Sequence, residues 1–587
     1  MRRLFASWLA LAMVALLVSG TTVQAQDEPK EKTTEEKIAD AESVGKDAAK
    51  RGDTAWMLVS TALVMFMMPG LALFYGGMVR RKNMLATMMQ TMVALAVVGV
   101  YWIAIGYSLA FGPSILGSAS EGTGIIGFSP HLIFLQGIKV DDYLPGYNIP
   151  VYLHVMFQGM FAIITPALIS GAFAERVKFL PYCLFLILWV TFVYCPLAHM
   201  VWAWNWFLPE GGLGAGDAAI GLLGNKLGAL DFAGGTVVHI AAGFAGLAAT
   251  LVLKKRTGYP HVTMHPGSMV LTLTGAAMLW FGWFGFNGGS AVMSNALAVS
   301  AFAATQAAAA AAALTWVITE WLIKGKPTAL GLASGMVAGL VAVTPAAGFV
   351  FMWGGLVIGA IAGVVCYLAV LAKGLLGYDD SLDAFGVHGV GGFIGAVLTG
   401  LLCSFAVNPI ASLEENSFLL NGNLDQFIIQ LKAAVGSAIF AFVISAVLIK
   451  FIDIIFGFTT TADEEVAGLD LVEHGEAAFD FGLGQEGTPN TMTGEPRSAA
   501  VPPNGMKRFT LVVDGGEPAT MMKTWAEVCQ PGVTGDADFS TVYSNLTTVS
   551  GNKFRFRTGD PKATAKALET LLQKRLGRTP ITVRVEA

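Results

Sequence analysis

Eleven long apolar segments follow one another along this chain, and they restrict its possible folds more than any other feature. Each is close to the ~20 residues that an α-helix needs to cross the hydrocarbon core of a bilayer. The chain is 54% hydrophobic and only 13% charged, about half the charged share of a typical soluble domain. We therefore predict an all-α membrane protein with eleven transmembrane helices, over about residues 55–76, 86–111, 150–173, 179–204, 232–253, 266–288, 292–323, 328–346, 349–373, 384–406 and 431–457.

The basic residues between these segments predict the orientation of the chain. They follow the odd-numbered segments from the first to the ninth, at residues 80–82, Arg176 and Lys178, residues 254–256, Lys324 and Lys326, and Lys373. Loops rich in Lys and Arg remain in the cytoplasm. We expect a multi-pass protein of the bacterial cytoplasmic (inner) membrane, with its N-terminus outside and its C-terminus in the cytoplasm.

The first 53 residues differ from the rest of the membrane region. Two arginines, a short apolar stretch and the small-x-small pattern that ends at Ala25 are typical of a signal peptide over residues 1–25. An uncleaved first membrane helix is the alternative, although the apolar core is shorter than a span. Residues 26–53 are rich in Glu, Lys, Asp and Ala, and we interpret them as a polar extracytoplasmic lead-in.

The C-terminal part of the chain predicts a second domain. Residues 480–506 are rich in Gly, Pro and polar residues, as in a flexible linker. Within residues 507–587, apolar alternation and helical periodicity follow one another in the order β-α-β-β-α-β. This order predicts a small α+β domain of the ferredoxin-like kind, although a fold of this kind implies no function by itself.

Charge and cysteine content exclude several kinds of partner. The formal net charge is −5 and the basic residues form only short clusters, so we expect no nucleic acid to bind. The five cysteines show no metal-ligand spacing. We predict no metal site and no cofactor. The cysteines are Cys183, Cys195, Cys366, Cys403 and Cys529.

Two histidines lie deep in apolar segments, His239 in the fifth and His388 in the tenth. Ionisable groups inside a membrane span are costly, and they usually face a cavity with a function. If segments one to five and six to ten are inverted repeats, the two imidazoles occupy equivalent places and can meet at mid-membrane. Neutral imidazoles each offer one donor and one acceptor to a small polar molecule. The alternative is two separate histidines, each hydrogen-bonded within the packed interior.

Several motifs in order give this chain a resemblance to a known family. DFAGGTVVHI, WFGFNGGSA, FGVHGVGG, LFYGGMVRRKN and AHMVW together resemble the ammonium transporter (Amt/Mep/Rh) family, from about Asp53 to Phe479. The resemblance implies a homotrimer with one pore in each subunit, a membrane domain over residues 54–458 and a cytoplasmic family tail over residues 459–479. The tail is the region where nitrogen-regulatory signalling proteins act in this family.

The resemblance also implies roles for individual residues. It makes His239 and His388 the twin pore histidines, and Phe161 and Phe286 the aromatic gate above them. Trp202, Ser290 and Phe157 would form the outer ammonium recruitment site, where an indole face attracts a cation and a hydroxyl accepts an N–H group. Packing within the helices is the alternative interpretation of Phe157. The presence of Trp202 favours the Amt branch of the family.

Two aspartates are expected to have structural roles in the vestibule. Asp231 stands at the start of the fifth segment, where a carboxylate can accept backbone N–H groups at a helix N-terminus. The resemblance assigns the equivalent residue to the vestibule, near the recruitment site. We take Asp383, five residues before His388, as its counterpart in the second half.

These observations lead to a transport hypothesis and an alternative. Ammonium, or its analogue methylammonium, would bind at the aromatic site, lose its proton near the gate and cross as ammonia past the histidines. The alternative is an ammonium sensor whose C-terminal domain relays occupancy to a regulatory partner, and the other interpretation of that domain is a passive folded tail. The resemblance implies no enzyme activity.

Overall fold

The computed structural model describes residues 33–410, 418, 422–479, 507–514, 546–550, 553–558, 560–576 and 582–586. The chain divides into two compact units, residues 1–481 and 482–587, and each is described separately. The predicted signal peptide (1–25), the first part of the lead-in (26–32) and the linker (480–506) lie outside the described residues.

The first unit consists of helices that overlap all eleven predicted segments. Ten of the helices in the described part of the chain are long and apolar enough to cross a membrane, whereas α8 is shorter. The helices are α1 Thr34–Met78, α2 Arg81–Phe111, α3 Val151–Phe173, α4 Phe179–Trp202, α5 Gly235–Val252, α6 Met269–Gly289, α7 Ala296–Lys324, α8 Ala329–Val343, α9 Met352–Leu376, α10 Phe385–Leu402 and α11 Asp425–Phe456.

Helix α1 begins well before the apolar segment that predicted it. The side chain of Thr33 accepts a hydrogen bond from the Glu36 backbone N–H, and the Glu36 carboxylate accepts one from the Thr33 backbone N–H. This capping box fixes the helix start. Residues 34–53 of the lead-in therefore belong to the same continuous helix as the first span.

Glycines let α5 and α10 approach each other closely. A Cβ atom on Gly243 of α5 would collide with the backbone of Gly389 of α10. A Cβ atom on Gly392 would lie 2.8 Å from Cβ of His239. Small residues at such crossings allow helix backbones to pack in contact within a membrane. The two histidine-bearing helices consequently cross at the level of the histidines.

A buried ion network joins the connections at one end of the helices. Asp379 pairs with Arg176 at 3.2 Å and with Arg256 at 2.7 Å, and Glu175 pairs with Arg256 at 3.0 Å and with Arg80 at 2.9 Å. Burial acts to raise the pKa of Asp379, but hydrogen bonds and charge from Arg256 outweigh it and lower the pKa. The network therefore ties together the connections that follow α1, α3, α5 and α9.

Two short helices after α11 dock on the same connections. They are α12 Ala462–Ala467 and α13 Leu469–His474. Asp470 accepts a hydrogen bond from the Ala86 backbone N–H at 2.8 Å, and Glu473 accepts one from Phe179 N–H at 2.9 Å. The region predicted as the family tail thus packs against the start of α2 and the start of α4.

Each unit also contains short β-strands. In the first unit, β1 Ser114–Leu116 and β2 Ile126–Gly127 form an antiparallel pair in the connection after α2. The second unit contains α14 Pro561–Leu576 and a four-stranded antiparallel sheet in the order β4-β5-β3-β6. The first helix predicted for this unit lies outside the described residues. The strands are β3 Lys507–Asp514, β4 Leu546–Ser550, β5 Lys553–Thr558 and β6 Thr582–Glu586.

Candidate functional site

The structure brings His239 and His388 together in the interior of the first unit. Their Nδ1 atoms lie 3.3 Å apart, and their rings are 5.4 Å apart between centroids with an interplanar angle of 23°. Both are almost fully buried. One Nδ1 must carry the proton and the other must accept it. Nε2 of His239 has no hydrogen-bond partner among the described residues, so it is available to a small molecule.

Both histidines lie in π-helical turns, at Gly235–Ile240 and Phe385–Gly389. A π turn widens the helix locally and leaves backbone groups outside the regular i→i−4 pattern, and such turns occur frequently at functional sites. Each π turn is the first turn of its membrane helix. The chain thus presents the two imidazoles from equivalent, irregular helix starts.

Asp231 fixes the start of α5. Its carboxylate accepts four backbone hydrogen bonds, from Gly234, Gly235, Thr236 and Val237, at 2.7–3.2 Å. These N–H groups have no partner within the helix, and a carboxylate is favoured at that position. The carboxylate therefore stabilises the first turn of α5.

The counterpart of Asp231 in the second half is Asp380, and the assignment of Asp383 is wrong. Asp380 accepts hydrogen bonds from Ala384 N–H at 3.1 Å and Phe385 N–H at 2.8 Å, at the start of α10. Asp383 instead pairs with Lys373 of α9. Its own backbone has φ +60°, a left-handed conformation that Asp tolerates better than most residues.

Phe161 and Phe286 form a close aromatic pair next to the histidines. Their ring centroids are 4.2 Å apart with an interplanar angle of 32°. Phe286 also lies 6.1 Å from the ring of His239, with an interplanar angle of 23°. The pair therefore separates the histidines from the next layer of residues, which contains Trp202.

Trp202 and Ser290 both border this aromatic pair. Trp202 meets Phe161 edge-on, with 6.1 Å between centroids, and its Nε1 donates to the Asp231 carbonyl oxygen at 2.9 Å. Ser290 Oγ donates to the Phe286 carbonyl oxygen at 2.8 Å. The indole is thus anchored by its edge, and the hydroxyl keeps its acceptor lone pairs for another donor.

Phe157 is completely buried and lies next to Phe161, with 5.0 Å between ring centroids. A Cβ atom on Gly289 would approach its ring to 2.8 Å. Trp202, in contrast, is partly exposed. Packing alone therefore accounts for the position of Phe157.

A narrow cavity extends from Phe286 to the two imidazoles. Apart from the histidines its walls are apolar or aromatic, so a charged solute would lose its hydration there without compensation. A neutral molecule of a few atoms can occupy such a cavity at much lower cost. The other wall residues are Met67, Leu71, Phe74, Ile164, Leu168, Val238, Leu279, Trp283, Phe286 and Val337.

Sequence reasoning missed Trp283, which stacks on His239 at 5.4 Å with an interplanar angle of 22°. Its Nε1 donates to Thr344 Oγ1 at 2.9 Å, just after α8. It also missed Asp380, although a signal was present. Asp231 precedes His239 by eight residues, and Asp380 precedes His388 by the same number.

The family model described as the Ammonium Transporter Family matches residues 55–479, which include every residue of this site. The chain belongs to the Ammonium Transporter Family. The ammonium transporter Amt1 of Archaeoglobus fulgidus is 43% identical over 428 residues, which cover 73% of this chain and 99% of the relative. The ammonium transporter of Aquifex aeolicus is 46% identical, over 73% of this chain and 94% of its own length.

Solved structures agree with this family fold. The chain is similar to the crystal structure of Saccharomyces cerevisiae Mep2 with a TM-score of 0.60 and 35% identity, over 70% of this chain and 88% of Mep2. It is also similar to a structure titled Sensor Amt Protein, with a TM-score of 0.63 and 25% identity over 73% of this chain and 99% of that one. The family model ends at residue 479, before the second unit at residues 482–587.

Proposed function

We propose that this protein conducts ammonium across the membrane as ammonia. The observation that carries the proposal is the imidazole pair of His239 and His388, which lies in an apolar cavity beneath the aromatic pair of Phe161 and Phe286. A hydrated cation finds no substitute for its water shell in such a cavity. Ammonia is neutral and can use the unpaired Nε2 of His239. The relatives named as ammonium transporters support this assignment.

Ammonium is recruited at Trp202 and Ser290, on the other side of the aromatic pair. The indole face attracts the cation, and Ser290 accepts one of its N–H groups. Potassium has the same charge but cannot donate hydrogen bonds, so the hydroxyl favours ammonium. Phe157, the third residue predicted for this site, is completely buried against Phe161, and we assign it to the packing behind the site.

The proton leaves near Phe161 and Phe286, because the cavity beyond them offers no counter-charge. His239 and His388 then pass ammonia along through donor and acceptor positions on their rings. The direct Nδ1 contact between them also offers a route for a proton along the pair. Transport is electrogenic if the proton follows this route, and electroneutral if it stays outside.

Replacement of both histidines tests the relay. We expect the His239→Leu/His388→Leu variant to lose ammonium-evoked current on a solid-supported membrane, because no side chain then accepts the proton. His261→Leu is the matched control, since His261 is an exposed loop residue that should leave the current unchanged. Full ammonium-specific current in the double variant would refute the histidine relay.

We also propose a membrane organisation for the chain, from its helices and its family. Helix α8 completes an eleventh crossing, and α1–α5 and α6–α10 form an inverted repeat, which the matched Asp–His spacing supports. The protein is a homotrimer of the bacterial inner membrane with a cleaved signal peptide (1–25). Residues 26–53 lie outside, and the tail (459–479), the linker (480–506) and the unit at 507–587 lie in the cytoplasm.

The C-terminal unit is proposed to be a ferredoxin-like domain. Its antiparallel strand order β4-β5-β3-β6 is that of the βαββαβ arrangement predicted from the sequence. A nitrogen-regulatory signalling protein is a candidate partner at the cytoplasmic face. We assign no nucleic acid, metal or cofactor to either unit.

Ammonium sensing is the second candidate function. Two observations favour it: the similarity to the Sensor Amt Protein over 99% of that chain, and the additional C-terminal unit. In this scheme the same site binds ammonium, and the C-terminal unit relays its occupancy to a regulatory partner.

Liposomes and a truncated variant separate the two candidates. If the purified full-length protein conducts methylammonium into liposomes, transport is intrinsic to the chain, and absence of flux would favour sensing. A variant that lacks residues 480–587 should still conduct. If its uptake in cells responds to nitrogen status as the full-length protein does, the C-terminal unit does not regulate flux.

A further inference from the structure

The backbone that leads into α5 is irregular but lies among membrane helices. Residues 228–234 form no regular helix or strand, and Asp231 lies in their middle. Irregular backbone among membrane helices is tolerated only where the surrounding protein satisfies its hydrogen bonds. The partners of this segment therefore determine where Asp231 and its contacts lie.

One side chain, Gln430 of α11, satisfies both backbone groups of Leu230. The Leu230 N–H donates to Gln430 Oε1 at 2.7 Å, and Gln430 Nε2 donates to the Leu230 carbonyl oxygen at 2.8 Å. The same Nε2 donates to the Ala396 carbonyl oxygen of α10 at 3.1 Å. Gln430 is 1% exposed, so water does not replace it. A single buried amide thus connects α11, α10 and the segment before α5.

Gln426 extends this arrangement by one helical turn. It lies four residues before Gln430, on the same face of α11, and its Nε2 donates to the Gly228 carbonyl oxygen at 3.0 Å. The side-chain amides of α11 therefore hold the segment at two successive points. Of the two, Gln430 contacts the residue that directly precedes Asp231.

The position of Asp231 determines the position of Trp202. The carbonyl oxygen of Asp231 accepts the hydrogen bond from the Trp202 indole at 2.9 Å, and its carboxylate caps the π turn that carries His239. We propose that Gln430 is a positioning residue for ammonium recruitment: it fixes the Leu230 backbone and, through Asp231, the Trp202 ring. This inference rests on the proposed recruitment at Trp202.

A double-mutant cycle separates this role from general stabilisation. The KM and Vmax of methylammonium uptake are measured in liposomes for the full-length protein with Gln430→Leu, Trp202→Leu and both changes. We expect Gln430→Leu to raise KM about fivefold, the loss that corresponds to one buried hydrogen bond, with little change in Vmax. In the Trp202→Leu background, Gln430→Leu should have no further effect on KM, because the Trp202 ring through which Gln430 acts is absent.

Two further variants complete the test. Ser445→Ala is the matched control, because it removes a buried hydrogen bond from Trp189 to the same helix, 2.9 Å long, that has no contact with residues 228–234. Its KM should equal that of the wild type. Gln430→Asn keeps the amide but is one methylene shorter, so it should raise KM in the same direction with a milder effect on folding.

The possible outcomes distinguish this inference from the proposal on which it rests. If Trp202→Leu leaves KM unchanged, recruitment at Trp202 is wrong and the role of Gln430 falls with it. If Trp202→Leu raises KM but the Gln430 changes leave KM unaltered, or multiply it equally in both backgrounds, only the positioning role is overturned. A fall in Vmax alone would also contradict it.

Discussion

At the scale of residues, carboxylates near the two histidines have distinct structural roles. Asp231 and Asp380 accept backbone N–H groups at the starts of α5 and α10. Asp383 lies closer to His388 in sequence, but it pairs with Lys373 and is partly exposed. A buried capping carboxylate accepts hydrogen bonds from backbone N–H groups that no other group reaches, whereas a partly exposed ion pair contributes little to the stability of the fold. The consequences of removing each carboxylate should therefore differ.

We predict that Asp380→Ala destabilises the protein more than Asp383→Asn, which removes the charge but keeps a residue that tolerates φ +60°. Loss of a helix cap costs about 0.5–2 kcal/mol. Asp380 is 1% exposed, so the backbone N–H groups of Ala384 and Phe385 that donate to it would remain buried without a partner. Asp383→Asn should cost less, because Lys373 is partly exposed and keeps its hydrogen bond to the Asp380 carbonyl oxygen. Thermal unfolding in detergent, followed by tryptophan fluorescence, measures the difference. Equal melting temperatures would contradict the assignment of Asp380 as the cap.

At the scale of elements, apolar length was a sufficient guide to where the membrane helices lie. It was insufficient for α1, because the capping box at Thr33 and Glu36 extends that helix into the polar lead-in. It was also insufficient for the π turns at His239 and His388. Hydrophobic periodicity assumes a regular helix, and a single-turn widening leaves no sign in the pattern of residue types. The choice of Asp380 over Asp383, in contrast, could be made from the sequence, because Asp380 and Asp231 each precede a histidine by eight residues.

The contact between α5 and α10 leads to a second prediction. Gly243→Val should abolish transport and lower stability, because its side chain would occupy the space taken by the Gly389 backbone and force the histidine-bearing helices apart. Overpacking of this kind costs about 1–3 kcal/mol. Methylammonium uptake and thermal unfolding are the measurements.

Gly436→Val on α11 is the control for this change. A Cβ atom on Gly436 would meet nothing within 4 Å, so the same substitution should leave both uptake and stability close to those of the wild type. Normal uptake in Gly243→Val would mean that the close crossing of the two helices is not required for transport.

At the scale of the whole molecule, charged residues tie the connections between helices together at one end. Asp379 is fully buried between Arg176 and Arg256. Removal of one member of a buried ion pair costs about 3–5 kcal/mol, because the remaining charge is left without compensation. We therefore predict that Asp379→Asn, which keeps the shape of the side chain, strongly lowers the melting temperature at pH 7. Asp47→Asn, which breaks an exposed pair with Arg51, should have almost no effect.

The ion pairs of Asp379 with Arg176 and Arg256 make the effect of Asp379→Asn depend on pH. Burial would raise the pKa of Asp379, but Arg256 and Arg176 lower it below its ordinary value, and the pKa of Glu175 is lowered in the same way by Arg80 and Arg256. A carboxylate with a lowered pKa stabilises the fold above its unfolded pKa, about 4. This contribution disappears as the pH falls through the folded value. The difference in melting temperature between wild type and Asp379→Asn should therefore be constant from pH 7 to 5 and shrink in stronger acid. A difference that grows with acidification would show that Asp379 is protonated in the folded protein.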